Sequence, residues 1–254
     1  MLVRTFLSAL IIGAMPMGAA LAGGGDGPAI PSQDWSFSGP FGTYDKASMQ
    51  RGYKIYRNVC ANCHSMKQLY FRNLEALGYN EGQIKNIAGE YTVEDGPNDE
   101  GDMFDRAAKP SDKFPAPFAN DNAAKFANGG AFPPDLSLIT KARANGPNYI
   151  YALLTGYEEA PHGEELASGQ SWNKYFPGHK LSMAPPLSDG LVGYEDGTPE
   201  TTEQYARDIT NFLTWAADPY MEERKSTGMK VILFLLVFAG VLYSVKKKIW
   251  ADVH

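Results

Sequence analysis

The sequence predicts a mainly α chain: a few helices held by long ordered loops, with one further helix at the C-terminus that crosses a membrane. Three observations carry this. Met49, Tyr53, Tyr56, Cys60 and Cys63 recur at steps of four, three, four and three, the spacing of one helical face. The 254 residues include 26 glycines and 17 prolines, which break the chain too often for long coiled coils. An uncharged apolar run extends from Val231 to Val245, close to the C-terminus. No convincing alternating strand and no internal repeat is visible. At 44% apolar residues the chain can bury a core, so full disorder is not expected.

The two ends place the chain. Arg4 opens a short apolar stretch from Phe6 to Met17, and Ala20-Leu21-Ala22 supplies small residues where a signal peptidase cuts. Residues 1–22 therefore read as a cleaved signal peptide. The alternative, an uncleaved anchor, is disfavoured by the short run and by Pro16. At the other end, Val231–Val245 spans only about 22 Å as a helix, but extension to Gly228 and Trp250 gives about 34 Å, enough for a hydrocarbon core. Lys230 and Lys246 would snorkel to the headgroups, and Tyr243 and Trp250 suit an interfacial belt. Lys246, Lys247 and Lys248 keep that end in the cytoplasm. The expected organisation is an exported domain over 23–228, an anchor over 229–250 and a cytoplasmic tail over 251–254.

Charge sharpens the picture. The whole chain carries a formal −6, but residues 23–228 hold 18 Lys/Arg against 28 Asp/Glu, or −10. An acidic exterior domain disfavours nucleic acid and favours a basic partner. Glu90, Glu94, Asp95, Asp99, Glu100, Asp102 and Asp105 follow one another with no intervening base. Such a run reads either as a solvated loop or as a docking face.

Between the ends, Gly23–Pro40 reads as an extended arm. Asp45 caps a helix predicted from Lys46 to about Cys63, with Gly52 on its inner face. Short helices are expected between Met66 and Gly89, loop over 90–136, a helix from Asn148 to Thr155 ended by Gly156, and loop again over 157–200. Thr201 and Gln204 form a capping-box pattern ahead of a helix whose buried face is Tyr205, Ile209, Phe212, Leu213 and Ala216, closed by Asp218-Pro219.

The chemistry lies in Cys60-Ala61-Asn62-Cys63-His64. This is the C-x-x-C-H attachment signature of a c-type haem. Two thiols one turn apart can each add to a haem vinyl group, and the adjacent histidine then sits under the iron. A redox dithiol would need a βαβ context, and a zinc site would need further ligands that no second cysteine pair supplies. A low-spin carrier needs a sixth iron ligand, for which His162, His179, Met66, Met103 and Met183 are candidates. Met183 stands out because Ala184-Pro185-Pro186 stiffens its loop. An open sixth position would instead suit a membrane-anchored haem enzyme or gas sensor.

The chain resembles the cytochrome c1 family, the haem subunit of quinol–cytochrome c reductases. The resemblance is carried by Arg51-Gly52-Tyr53 with Tyr56 and the C-x-x-C-H, by Asp95-Gly96-Pro97-Asn98, Asp102-Met103-Phe104 and Ala131-Phe132-Pro133-Pro134-Asp135-Leu136-Ser137. It continues through Lys141-Ala142-Arg143, Leu153-Leu154-Thr155-Gly156-Tyr157, Tyr175-Phe176-Pro177-Gly178, Met183-Ala184-Pro185-Pro186-Leu187, Tyr194-Glu195-Asp196-Gly197-Thr198-Pro199 and Trp215-Ala216.

The resemblance implies a c-type cytochrome fold with long loop insertions. It implies one covalently bound heme c on Cys60 and Cys63, with His64 and Met183 as iron ligands. Asn128, Pro133, Pro134, Arg143 and Tyr149 match positions that line the haem or meet its propionates. Gly52 and Tyr56 match a close helix crossing, expected against Phe212 and Leu213. The implied function is not catalysis by this chain but relay of single electrons from a Rieske iron–sulfur protein to a soluble c-type cytochrome. The other implied partner is a cytochrome b subunit, in a dimeric complex of the bacterial inner membrane with the haem domain on the periplasmic side. The second cysteine pair that forms a disulfide in some bacterial relatives is absent.

Overall fold

In the computed structural model, residues 27–252 are described. The predicted signal peptide, and residues 253–254 of the predicted tail, lie outside them. Among the described residues six α-helices appear in order: α1 (Lys46–Asn58), α2 (Glu81–Gly89), α3 (Asp121–Ala127), α4 (Gly146–Thr155), α5 (Thr202–Ala217) and α6 (Met221–Ile249). The chain is mainly α, as the periodicity predicts.

The domain is organised around the crossing of α1 and α5. Asp45 caps α1 by accepting from the Ser48 amide. The inner face of α1 buries Met49, Gly52, Tyr53, Ile55 and Tyr56. A Cβ on Gly52 would lie 2.1 Å from the Asp208 carbonyl oxygen and 2.7 Å from Phe212 Cβ, so only glycine lets the helices approach this closely. The expected crossing at Phe212 is present, and the tightest point is the Asp208 backbone. Tyr53 and Tyr56 both meet the Phe212 ring, at 5.7 and 5.9 Å between centroids. Asp208 is buried and ties the crossing together, taking Arg51 Nε at 2.8 Å, Ser48 Oγ at 2.6 Å and the Tyr194 hydroxyl at 2.9 Å.

Several expectations need correction. The first helix stops at Asn58 rather than continuing to Cys63. Val59 leaves the helical region (φ −121°, ψ −64°), and Cys60–Asn62 form a tighter 3-10 turn. Strands also exist. β1 (Thr92–Asp95) pairs antiparallel with β2 (Phe104–Ala107), and β3 (Ser171–Trp172) with β4 (Lys180–Leu181). These ribbons are too short, and β1–β2 too exposed, for hydrophobic alternation to announce them. The short α3 lies in the segment expected to be loop, capped by Asn120 through the Ala123 amide. At Thr201 only half of the capping box forms: its hydroxyl accepts from the Gln204 amide. Gly156 does end α4, but at φ −97° it is not left-handed. A Cβ there would strike the Tyr175 ring at 2.5 Å, so glycine is needed for space.

Of the arm expected over 23–40, residues 23–26 lie outside the described residues, and the rest is neither loose nor extended throughout: it turns at Ser36–Phe37, where the Ser38 amide meets the Trp35 carbonyl at 2.9 Å. Trp35 and Phe37 are buried in the core, and Trp35 Nε1 donates to Asn148 Oδ1 at 2.8 Å. Finally, α6 begins eight residues ahead of the predicted anchor and runs unbroken for 29 residues, about 43 Å. It is long and apolar enough to cross a membrane, and its apolar stretch packs against nothing in the folded domain.

Candidate functional site

The 3-10 turn that ends α1 presents the motif. Both the Cys63 and His64 amides reach the Cys60 carbonyl, at 3.1 and 2.8 Å. This fold-back leaves Cys60 half-buried against the core and Cys63 exposed, both as free thiols. Burial pushes the Cys60 thiol up to about 12, with Cys63 adding in the same direction.

His64 is fixed from the opposite side. Its Nδ1 lies 2.8 Å from the Pro134 carbonyl oxygen. A carbonyl can only accept, so Nδ1 carries the proton and Nε2 keeps its lone pair. Burial lowers the imidazole pKa, outweighing the Pro134 carbonyl and Asp135, so the ring is held in the neutral form that ligates a metal.

The segment carrying Pro134 is zipped to the motif. Asp135 accepts from Ser65 Oγ and from the Lys67 amide, each at 2.8 Å, and the Leu136 amide donates to the Ser65 carbonyl at 2.8 Å. Burial raises the Asp135 carboxyl, but the donated bonds from Lys67, Ser137 and Ser65 outweigh it and hold the group low. Asp135 stands inside one of the motifs that carry the resemblance, which assigns it no role; the structure shows it tying the Pro134 segment to the Cys60–His64 motif. A carboxylate three residues past Phe132 has no spacing signal of its own, because the partners that tie it to the motif, Ser65 and Lys67, lie 70 and 68 positions away in sequence.

The remaining candidates form a second group. Tyr149 and Tyr157 are both raised by burial; the Arg143 charge opposes this at Tyr149, and Tyr149 adds to it at Tyr157. The Tyr157 hydroxyl donates to the Met183 carbonyl at 3.1 Å. The one hydrogen bond within this group, among the described residues, is therefore that from Tyr157 to the Met183 loop. Leu187, four residues beyond Met183, is buried in the core that Cys60 and Tyr149 also touch.

Among the described residues, no hydrogen bond joins this group to His64; the common core relates them. Pro133 is half-buried beside Pro134. Asn128 ends α3 and turns its side-chain amide back to the Ala124 carbonyl at 2.8 Å, so its described contact is local.

The rival iron ligands separate by environment. Met66 is fully buried in the core. His179 stacks on Trp172 at 4.8 Å, with Nδ1 3.1 Å from the Asn173 carbonyl oxygen. His162 and Met103 are exposed. Met183 is half-buried in a loop pinned at both ends.

Two thiols one turn apart with a neutral histidine whose Nε2 keeps its lone pair are a donor set that fits a covalently attached haem. The chain matches the Cytochrome C1 family over residues 35–253.

It belongs to the cytochrome c1 family.

Among its relatives, the chain is 49% identical over 252 residues to a cytochrome c1 of Rhodospirillum rubrum, covering 93% of this chain and 92% of that one. It is 53% identical over 209 residues to the mitochondrial cytochrome c1-2, heme protein, of Solanum tuberosum, covering 82% and 80%. A cytochrome b/c1 of Bradyrhizobium diazoefficiens is 49% identical over 253 residues, and the match takes up 91% of this chain but 36% of that longer one. Family membership agrees with the strand pattern: both described ribbons are antiparallel, which is not the βαβ setting of a redox dithiol.

Proposed function

We propose that this chain is the haem-bearing electron-transfer subunit of a cytochrome bc1 complex. It would relay single electrons from a Rieske iron–sulfur protein to a soluble c-type cytochrome. The observation that carries the proposal is the His64 Nδ1–Pro134 contact beside the Cys60/Cys63 pair. When bound, heme c supplies a one-electron iron couple. Cys60 and Cys63 would hold it by thioethers, His64 Nε2 and Met183 would ligate the iron, and Arg143 offers a guanidinium to a propionate. Tyr149, Pro133, Pro134 and Asn128 would line the group. The chain itself makes and breaks no substrate bond in this reading; it sets potential, distance and docking.

The printed name of the Bradyrhizobium relative joins b and c1 in one protein, which supports a cytochrome b subunit as the neighbour of α6. The basic end of α6, Lys246–Lys248, supports an inside C-terminus, with domain 23–228 on the periplasmic face of a bacterial inner membrane after removal of residues 1–22.

The rival reading, an open sixth position, predicts that carbon monoxide shifts the visible spectrum of the reduced protein. The relay predicts almost no shift. Haem staining that survives denaturing electrophoresis is expected in either case, and its loss overturns both.

The acidic run is resolved into two parts. Glu90 pairs with Arg57, and Asp95 with Arg106. Asp99, Glu100 and Asp102 project at the exposed tip of the β1–β2 ribbon, beside exposed Met103 and Phe104. Charges around an apolar centre suit transient docking. Reversing Asp99, Glu100 and Asp102 to lysine should slow reduction of a basic cytochrome about tenfold at low salt, with the difference vanishing at high salt. An unchanged rate at low salt makes the tip a solvated turn.

A further inference from the structure

A second site lies at the junction of the folded domain with α6. A cavity of about 320 Å³ opens there. Phe37, Tyr44 and Met221 give it an apolar wall, and its lining carries three cations, Lys141, Arg224 and Lys225, against one carboxylate, Asp218. Asp218 is shared: Arg224 binds it through both terminal nitrogens at 2.6 and 2.7 Å, and Lys141 lies 3.1 Å away. Lys225 donates to neutral carbonyls, of Phe37 at 2.7 Å and Gly42 at 3.1 Å. Nearby Glu222 is turned to the Tyr44 amide at 2.7 Å. The lining residues therefore carry an excess of positive charge beside an apolar wall.

The depth of the cavity is set by α6. Met229–Lys248 is about 30 Å of helix, the thickness of a hydrocarbon core. Lys225 lies four residues earlier, about 6 Å outside, within a headgroup layer about 5–8 Å deep. Phe41, 80% exposed, is next to the Gly42 carbonyl that Lys225 holds, and Tyr220 is also exposed. Exposed aromatic rings at this level are what a membrane interface selects.

We infer that this cavity binds the headgroup phosphate of an anionic phospholipid from the leaflet facing the haem domain. The phosphate sits among Lys141, Arg224 and Lys225, with the glycerol on Phe37 and Met221. The inference rests on α6 spanning a membrane with its N-terminal end at the haem-domain side.

The test uses the full-length, haem-loaded protein in detergent, with Lys246, Lys247 and Lys248 changed to glutamine because that basic end also attracts anionic lipid. Native mass spectrometry follows titration with phosphatidylglycerol or phosphatidylcholine. One phosphatidylglycerol should be retained in preference to phosphatidylcholine, and Lys141→Gln or Lys225→Gln should each weaken it about fivefold. Lys141 is the safer variant because its described contact is one ion pair, and an unchanged haem spectrum certifies the fold. Equal retention of the two lipids, or full phosphatidylglycerol binding by Lys141→Gln, overturns the inference. Displacement by equimolar inorganic phosphate also overturns it, since the site would then take free phosphate. Binding in detergent does not depend on orientation, so protease accessibility in sealed vesicles tests the orientation separately.

Discussion

Met183→Ala is expected to leave the haem covalently attached and the domain folded, while removing the sixth iron ligand. Two features keep the loop in place without the thioether. The Tyr157 hydroxyl binds the Met183 carbonyl, which alanine retains, and Leu187 stays buried in the core. The loss is therefore chemical rather than conformational. The near-red absorption of a methionine–iron bond disappears, and the reduced protein gains carbon monoxide binding. The reduction potential falls by on the order of a hundred millivolts or more, because a thioether favours the reduced iron and axial ligands command a range of roughly 0.8 V. A carrier whose potential drops this far below its acceptor passes electrons slowly, so cytochrome reduction by the assembled complex should fall at least about tenfold. Tyr157→Phe supplies the contrast. It keeps the sulfur and frees the loop backbone, so the near-red band should weaken rather than vanish. If the band survives Met183→Ala, another sulfur ligates the iron. Exposed Met103 is then the next residue to change, since Met66 is sealed in the core.

What could be read from the sequence follows from what is local. The motif Cys60–His64, the cap at Asp45, the buried face of α5 and the apolar run of α6 each declare themselves within a few turns of chain. Spacing and capping are short-range physics. Gly52 was legible as a place for close approach because it shares a face with Tyr53 and Tyr56. Its tightest neighbour, the Asp208 backbone, was not, because the register of two helices 156 residues apart is a tertiary result. Asp135 and Tyr157 stand within the resemblance motifs, but what they hold escaped for the same reason: each acts on a segment distant in sequence, through hydrogen bonds that leave no periodic trace. The resemblance supplied Pro134 as a site position. The reason for it, a carbonyl that fixes the His64 tautomer, is visible only in three dimensions. The ribbons failed to announce themselves because their strands are only two to four residues long, too short for alternation to stand out from chance.

Gly52→Ala tests the crossing itself, and its sign discriminates. On an exposed helix the same change stabilises by about 1 kcal/mol, because alanine is the better helix former. Here the new methyl would stand 2.1 Å from the Asp208 carbonyl oxygen and 2.7 Å from Phe212 Cβ, both far inside van der Waals contact. Neither neighbour can yield cheaply. The first is helix backbone, and the second belongs to a ring wedged between Tyr53, Tyr56 and Trp215. The helices must separate, and separation strains the bonds that Asp208 makes to Arg51, Ser48 and Tyr194. Overpacking alone costs about 1–3 kcal/mol, and a buried charge pair pulled open adds to it. The net expectation is a loss of about 3 kcal/mol, read as a lower denaturant midpoint of the haem-loaded domain by helical circular dichroism. Gly52→Val, with more bulk, should yield almost no haem-loaded protein. Asp208→Ala should cost about 3–5 kcal/mol through the opposite route, by leaving Arg51 without its buried partner while the contact distance of the helices is unchanged. If overpacking and the ion network are coupled, the double variant Gly52→Ala/Asp208→Ala will lose less than the sum of the two, because helices already forced apart have less of that pairing to lose. A Gly52→Ala protein as stable as the parent would mean that α1 and α5 do not cross at this distance.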